Sequence, residues 1–468
     1  MKILLVRPIV TSFKRLNAVP PIGLGYLSSA LKKAGFEVKI TDCVAKNYNF
    51  KDLSKTVQNE DPSILGFQAF SQDVDAVNRS INIAKKINPD IITIVGGAHS
   101  SGVGQKIYQH MPEVDLAFQG EGEVGLVQLS KIIKQKRYLD LVSSDELASV
   151  PGLIWRKNGH IYSNPPVFIN NLDELDFPDW ELINPNSYPH APQGVIFKNL
   201  PVAPIIATRG CPFPCTFCAG YTISGRAIRK RSIENIISEI KLLNNCYKVK
   251  EIHIVDDNFT FNKDYVRNFC LSLLENNLKI SWCCPNGLRL DTLTEDVVRL
   301  MKESGCYYIS VGIESGVDRI LKAMRKELTV EQIRQQVLMV KRAGMDVNGF
   351  FIIGYPGETA ADIRKTIDFA KSLPLTRVAF YNFLPLPSTQ IYKILMERNE
   401  LKEINYNDFF QGDVPYVAQG FSKGQLKYLQ RRAFREFYLR PGVFFSLVSK
   451  IKSFNQLLYI IRRAMVYF

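Results

Sequence analysis

Residues 202–218 read VAPIIATRGCPFPCTFC, and the rest of the chain takes its meaning from this stretch. It opens as a short β-rich run and breaks at Gly210 into a loop carrying Cys211, Cys215 and Cys218 around Pro212 and Pro214. An apolar strand that ends in a reactive loop is the layout of an α/β sheet or barrel, where chemistry sits at the carboxyl ends of the strands. The spacing C-x3-C-x2-C lets three thiolates converge on one soft-metal centre. Zinc would ordinarily ask for four ligands, and no fourth Cys or His follows at zinc-finger spacing. A [4Fe–4S] cluster held by three Cys leaves one iron open to a substrate or cofactor. The bland alternative is three thiols adjacent by chance.

Downstream, the pattern of the first strand repeats. KEIHIVDDNF (from Lys250), KISWCCPNG (from Lys279), YYISVGIESG (from Tyr307), DVNGFFIIG (from Asp346) and RVAFYNFLP (from Arg377) read as strands. Helical patterns separate them, one opened by a capping box of Thr329 with Gln332. Six units are too few for a closed eight-stranded barrel, so residues 196–400 are expected to form a partial, open, TIM-like (β/α)6 barrel.

Upstream, residues 1–140 alternate apolar runs at Lys2, Glu37, Ser63, Ile91 and Asp115 with amphipathic stretches, one of which ends on Gly35 as a helix C-cap would. This predicts βαβ units and a doubly wound parallel sheet. Its Gly-rich strand ends, Gly96-Gly97-Ala98-His99 and Gly120-Glu121-Gly122-Glu123, are where such a sheet binds ligands. Residues 141–195 read as a hairpin turning at Asn158-Gly159 followed by an acidic, Pro-bearing surface linker, with a domain boundary near residue 195.

Of the 468 residues, 46% are hydrophobic and 22% charged, which excludes disorder and a disulfide miniprotein. The apolar start MKILLVRPIV is too short for a secretory signal, and no run of about 18 apolar residues suggests a membrane-spanning helix. Nine Cys without an export signal read as reduced thiols in the cytoplasm.

The cysteine loop and the strand ends together resemble the radical SAM superfamily, and the whole of residues 1 to about 440 resembles its cobalamin-binding-domain class, related to anaerobic Mg-protoporphyrin ester cyclase and hopanoid-associated radical SAM proteins. The stretch Pro20-Pro21-Ile22-Gly23-Leu24-Gly25-Tyr26-Leu27 belongs to the same resemblance. It implies that Cys211, Cys215 and Cys218 ligate the cluster and that the open iron chelates S-adenosylmethionine (SAM). Reductive cleavage would then give a 5′-deoxyadenosyl radical, with cobalamin as a second cofactor for methylating an unactivated carbon. Cyclisation, oxidation or rearrangement of a lipid, isoprenoid or tetrapyrrole is the alternative. Phe217 would pack near the adenine, and Asp256 and Asp257 would lie near the methionine amine, although the common Gly-Gly-Glu is replaced there by Val255-Asp256-Asp257. Glu314 and Ser315 would lie near the ribose, and Gly354 in an adenosine-binding loop. Gly96, Gly97, His99 and Glu121 would line the cobalamin site. The Asp-x-His-x-x-Gly signature that ligates cobalt in many cobalamin proteins is absent, so the lower face of the corrin is expected to be unligated.

Cys283 and Cys284 fall on one strand, so one faces inward and the other outward. An inward thiol can donate hydrogen to a substrate radical or be a small core residue. Cys43, Cys246, Cys270 and Cys306 read as structural. From Phe421 to Phe468, ten Lys/Arg accompany a single acid, Glu436. A helical extension over 401–468 with this character either lies on an anionic membrane surface or packs on the barrel with a solvated basic face. No nucleic-acid-binding module is recognisable. The expected partners are a small-molecule or lipid-like substrate and a one-electron donor such as flavodoxin or ferredoxin.

Overall fold

The computed structural model describes residues 1–10, 19–188, 197–401, 404–410, 412–449, 451, 457 and 461. Near the N-terminus, β1 (Lys2–Arg7), β2 (Glu37–Asp42), β3 (Ile64–Gln68), β4 (Ile92–Gly96) and β5 (Leu116–Phe118) run parallel. Period-2 alternation sends Ile3 and Leu5 of β1 to one face and Leu4 and Val6 to the other. Helices Ile22–Lys33 and Glu123–Lys136 cover the first face, and Phe50–Glu60 and Val74–Ile87 the second. The strand order β2-β1-β3-β4-β5 reverses direction at β1/β3, and ligands bind at such a switch point. Gly35 adopts φ +81° just past the first helix, as its C-cap role requires.

The hairpin turns where expected, with Asn158 at φ 52° and Gly159 at φ 76°, but it is not a connector. β6 (Leu153–Lys157) pairs antiparallel with β5, and β7 (His160–Ser163) with β6, extending the first sheet to seven strands. The edge left by the short β5 is thereby covered. The acidic stretch that follows is likewise no surface linker. Trp180 is 2% exposed and donates from Nε1 to Glu239 at 2.9 Å, and Asp179 accepts from Ser28 at 2.7 Å. Tyr188 donates to Asp42 at 2.9 Å. This strap fastens the helices of the two halves to each other. The boundary expected near 195 lies outside the described residues.

The second half holds β8 (Val202–Ile205), β9 (Thr208–Arg209), β10 (Arg229–Lys230), β11 (Glu251–Ile254), β12 (Ser281–Leu288), β13 (Cys306–Glu314), β14 (Asp346–Ile353) and β15 (Arg377–Asn382). Six of these form an all-parallel sheet in the order β15-β14-β13-β12-β11-β8, with no pairing between its two edges among the described residues. This is the open barrel expected from the six repeats. The first predicted strand is split: β8 ends at Ile205, and β9 leaves the barrel to pair antiparallel with β10. The Thr329–Gln332 capping box is present. Helix Lys423–Tyr438 lies along the β15 edge, where Gln430 donates to the Phe380 carbonyl at 2.7 Å and the Tyr438 hydroxyl to that of Val378 at 2.7 Å. The first part of the basic extension is therefore a packed helix, and most of residues 450–468 lie outside the described residues.

Candidate functional site

The C-terminal strand ends of the first sheet face those of the barrel across a cleft with about 1190 Å³ of empty space. Gly23, Gly66, Gly96, Gly97 and Gly120 line it from the sheet side, and Thr208, Arg209, Asp256 and Asp257 from the barrel side. The glycines keep it open: a Cβ built on Gly96 would meet nothing within 4 Å. The cleft runs inward as an apolar slot between Leu5, Ile64, Ile94 and Phe118 on the strands and Leu24, Leu27 and Leu126 on the helices. A glycine floor with an apolar slot fits a broad, flat cofactor with a tail.

Four charged side chains cross between the halves at the edge of this cleft. Arg209 donates to Glu123 at 2.8 Å and lies 3.3 Å from Glu121. Arg229 holds Glu121 with two bonds, at 2.6 and 2.8 Å. All four are under 10% exposed, and Arg209 also lies over the Tyr26 ring, 5.0 Å from its centroid. Glu121, expected as a cofactor ligand, has its carboxylate occupied by this network. Sequence reasoning quoted Arg209 and Glu123 within motifs without seeing that they pair, and it missed Arg229. The available signal was an arginine at the end of a strand otherwise apolar from Val202 to Ala207.

The cysteine loop leaves β9 through Gly210, at φ +94°, where an added Cβ would lie 2.2 Å from the Ala227 carbonyl oxygen, so only glycine fits. The Thr216 amide donates to Met324 at 3.0 Å, and the Thr216 hydroxyl lies 2.7 Å from that of Tyr355. These bonds tie the loop to the end of the fourth helical unit and to the Gly354-Tyr355 turn. Phe217 packs against the apolar cluster containing Tyr355, Met324 and Phe383. Among the described residues, the only trio of potential ligand atoms within 4.8 Å of one another is Glu251, His253 and Cys283. Three loop thiols suit a polynuclear cluster, in which each thiolate takes its own iron and one iron is left open. Burial and the nearby Asp257 and Cys215 hold the Cys211 thiol above its ordinary range, so bound iron must supply the positive charge that makes it a thiolate.

Around the loop, the expected residues divide. Asp257 is exposed in the cleft, and a Cβ on Gly220 would touch both Asp257 Oδ1 (3.4 Å) and Cys218 Sγ (3.6 Å). Asp256, at the cleft wall, is buried and bound to the backbone: it accepts from the Ala207 amide at 2.8 Å and from the Thr208 amide and hydroxyl at 2.7 Å each. Burial pushes its pKa up to about 7, partly offset by these three donors. Glu314, at φ +67°, pairs with Lys326 at 2.9 Å beside Gly312, whose missing side chain makes room for the pair. Ser315 faces Thr366 at 3.2 Å, away from the loop. Gly354 donates its amide to Glu358 at 2.7 Å and packs on Leu426. His99 is fully buried between Ser71 at 3.1 Å and His110 at 3.0 Å, edge-on to Tyr406, and lies outside the cleft lining. Burial drives its pKa down to about 3. It is a neutral packing residue because its helix turns it toward the 404–410 segment. No histidine lines the cleft among the described residues. Cys283 faces the barrel lumen and Cys284 the helix-side core; Cys246, read as structural, is exposed.

Three buried polar groups near the loop have no hydrogen-bond partner among the described residues: Arg289 Nη1, the Asn258 amide and Glu358 Oε1. The Arg289 guanidinium stacks 3.6 Å from the centroid of Phe213, inside the cysteine loop. Such orphaned donors and acceptors mark a place that a polar ligand completes.

A three-thiol loop at the mouth of an open barrel, facing a glycine-floored sheet, defines a radical SAM protein with a cobalamin-type N-terminal domain. The model for the radical SAM superfamily matches residues 205–370, and that for the B12 binding domain matches residues 9–130. An uncharacterized methyltransferase of Pyrococcus horikoshii is 33% identical over 447 residues, 95% of this chain and 94% of the relative. The chain belongs to this cobalamin-binding radical SAM family, and it is an enzyme whose cofactors are a [4Fe–4S] cluster, SAM and cobalamin. The cytidylyl-2-hydroxyethylphosphonate methyltransferase of Streptomyces wedmorensis is 28% identical, covering 84% of this chain and 81% of its own. The radical SAM methyltransferase TsrM of Kitasatospora setae, solved with cobalamin and a [4Fe–4S] cluster, has the same fold at 17% identity, with a TM-score of 0.70 over 96% of this chain and 91% of that one. The cobalamin-dependent enzyme OxsB reaches a TM-score of 0.74 at 18% identity, covering all of this chain and 72% of that one. No helix among the described residues is long and apolar enough to cross a membrane.

Proposed function

We propose that this chain methylates an unactivated carbon of a small or lipid-like molecule held at the sheet–barrel cleft. One observation carries the reading: residues from the two halves, Gly96 and Gly97 on one side and Thr208 and Asp257 on the other, line a single cleft that reaches the cysteine loop. When bound, the cluster, SAM and cobalamin together supply an electron, a carbon-centred radical and a transferable methyl group. Cys211, Cys215 and Cys218 would hold the cluster. Asp257, exposed beside Cys218, would accept a hydrogen bond from the SAM amine, and Arg289 Nη1 would pair with its carboxylate. Asn258 would offer its orphaned amide to the same ligand. Asp256 holds the strand before the loop in place, and the glycine floor admits the corrin. Placing both halves against one cleft lets them address the same carbon and keeps water from a reactive intermediate.

The test is anaerobic incubation with reductant, SAM, cobalamin and a membrane-lipid extract, followed by mass spectrometry. A product about 14 mass units heavier that incorporates the SAM methyl group supports the reading; radical cleavage with loss of hydrogen from the substrate favours cyclisation or oxidation instead. A small one-electron carrier such as flavodoxin or ferredoxin is the proposed donor, in a cytoplasmic setting. Peripheral contact with an anionic bilayer is proposed through Leu439, Phe444, Phe445 and Val448, which are exposed on and beside the helix Pro441–Val448, with Arg431, Arg435 and Arg440 nearby in sequence. Co-sedimentation with anionic but not neutral vesicles, lost in Phe444→Ser/Phe445→Ser, supports the contact; equal sedimentation of both proteins refutes it.

A further inference from the structure

A second set of ligand-type side chains lies in the barrel lumen, and the proposed function makes no use of it. Strand alternation turns Glu251 and His253 of β11 to the same face, and the register of β11 on β12 sets His253 opposite Cys283. Their ligand atoms all lie within 4.8 Å of one another, and none of the three residues is more than 2% exposed. Glu251 Oε1 is 2.9 Å from His253 Nε2. Its carboxylate is braced from behind, with Oε2 accepting the amides of Lys198 and Asn199 at 2.7 Å each and Oε1 the Tyr307 hydroxyl at 2.6 Å. Tyr308 lies opposite Cys283 on the next strand, and its buried hydroxyl sits beside that thiol with no other hydrogen-bond partner among the described residues. Neither Glu251 nor Cys283 lines the cofactor cleft, and His253 borders a smaller neighbouring cavity shared with Arg7, Tyr188 and Pro204.

We propose that Glu251, His253 and Cys283 form a site for one zinc ion, separate from the iron–sulfur centre. One thiolate, one imidazole and one carboxylate, with a fourth position beside the Tyr308 hydroxyl, are a donor set that zinc takes tetrahedrally at about 2.0–2.3 Å. Two anionic ligands neutralise a divalent cation in a region where an unpaired charge is costly to bury. The hydrogen bonds behind Glu251 are the outer support that orients a ligating carboxylate. The ion would tie β11 to β12 next to β8, the edge strand that has a sheet neighbour on one side only among the described residues. Its role is structural, because Glu251 and Cys283 are fully buried and line neither the cofactor cleft nor the cavity beside His253.

The test is elemental analysis of the full-length, cluster-loaded protein after incubation with excess zinc and gel filtration. The expected result is one zinc per chain in addition to about four iron. Cys283→Ser and His253→Gln should lose the zinc while keeping the iron, which shows that the variants remain folded. Cys215→Ala should lose iron and keep the zinc, which separates this site from zinc scavenged by the cysteine loop. Where a variant does not fold, zinc-edge X-ray absorption on the wild-type protein substitutes for it and should find a single sulfur neighbour. Wild-type protein with less than a tenth of an equivalent of zinc, zinc that survives both lumen substitutions, or a sulfur-free or three-sulfur zinc shell would overturn the proposal.

Discussion

Replacing Arg209 by Met removes the cation at the centre of the network that joins the two halves. Glu123 then loses the guanidinium 2.8 Å away, while Glu121 keeps both bonds from Arg229. The Glu123 side chain is only 7% exposed, so water does not replace the partner. Stranding a buried charge costs roughly 3–5 kcal/mol, whereas removing both members of a buried pair is often close to neutral. The double variant Arg209→Met/Glu123→Gln should therefore recover most of the loss, giving a coupling of about 2 kcal/mol or more. The assay is denaturant unfolding of the anaerobic, cofactor-loaded protein for all four members of the cycle, with the midpoint as readout. Function gives a second readout. Arg209 immediately precedes Gly210 and the cysteine loop, and Glu121 and Glu123 belong to the sheet. Loosening the network should raise the amount of 5′-deoxyadenosine released per methylated product. A single variant as stable as wild type, or a double variant as unstable as the single, would refute the account of the network as a charge-balanced join.

Gly210→Ala should cut iron content severely while leaving cobalamin binding intact, because its Cβ would fall 2.2 Å from a carbonyl oxygen at a φ that alanine resists; iron and cobalamin assays on the same sample check this. Burial raises the Glu358 pKa to about 8, so the folded state holds a proton that the unfolded state releases near pH 4.5. Stability should accordingly fall as pH rises across about 4.5 to 8 and level off above, and Glu358→Gln should make that fall shallower, leaving the part below about pH 7 that Asp256 contributes, in unfolding midpoints taken at several pH values. His99→Gln should leave cobalamin affinity within about twofold in a spectroscopic titration, since His99 packs on His110 and Tyr406 outside the cleft.

The strands and the cysteine loop were legible because each is a local pattern. Short apolar runs gave all five parallel strands of the first sheet and all six of the barrel, and Cys211, Cys215 and Cys218 announce themselves by spacing. Long-range pairing was not legible. Nothing within residues 153–163 shows that the hairpin completes the β5 edge, and the acidic stretch around Trp180 has a surface composition although Glu239, far along the chain, buries it. Side-chain direction at strand ends was also hidden. Asp256 and Asp257 are adjacent and chemically alike, yet one is buried and braces the backbone while the other is exposed beside Cys218. His99 and Ser315 sit in motif positions and are turned into packing by the helices that carry or face them. Arg209 and Arg289 act through contacts with residues more than 70 positions away, which no window of sequence contains.

The central claim is that three thiolates leave one iron of a [4Fe–4S] cluster open to SAM at the shared cleft. Release of 5′-deoxyadenosine from SAM, measured by mass spectrometry on anaerobically reconstituted, reduced protein, tests it most directly. Wild-type protein should release it and Cys215→Ala should not; a wild-type protein that carries its full complement of iron and sulfide yet releases none, or a Cys215→Ala variant that matches it, would contradict the account.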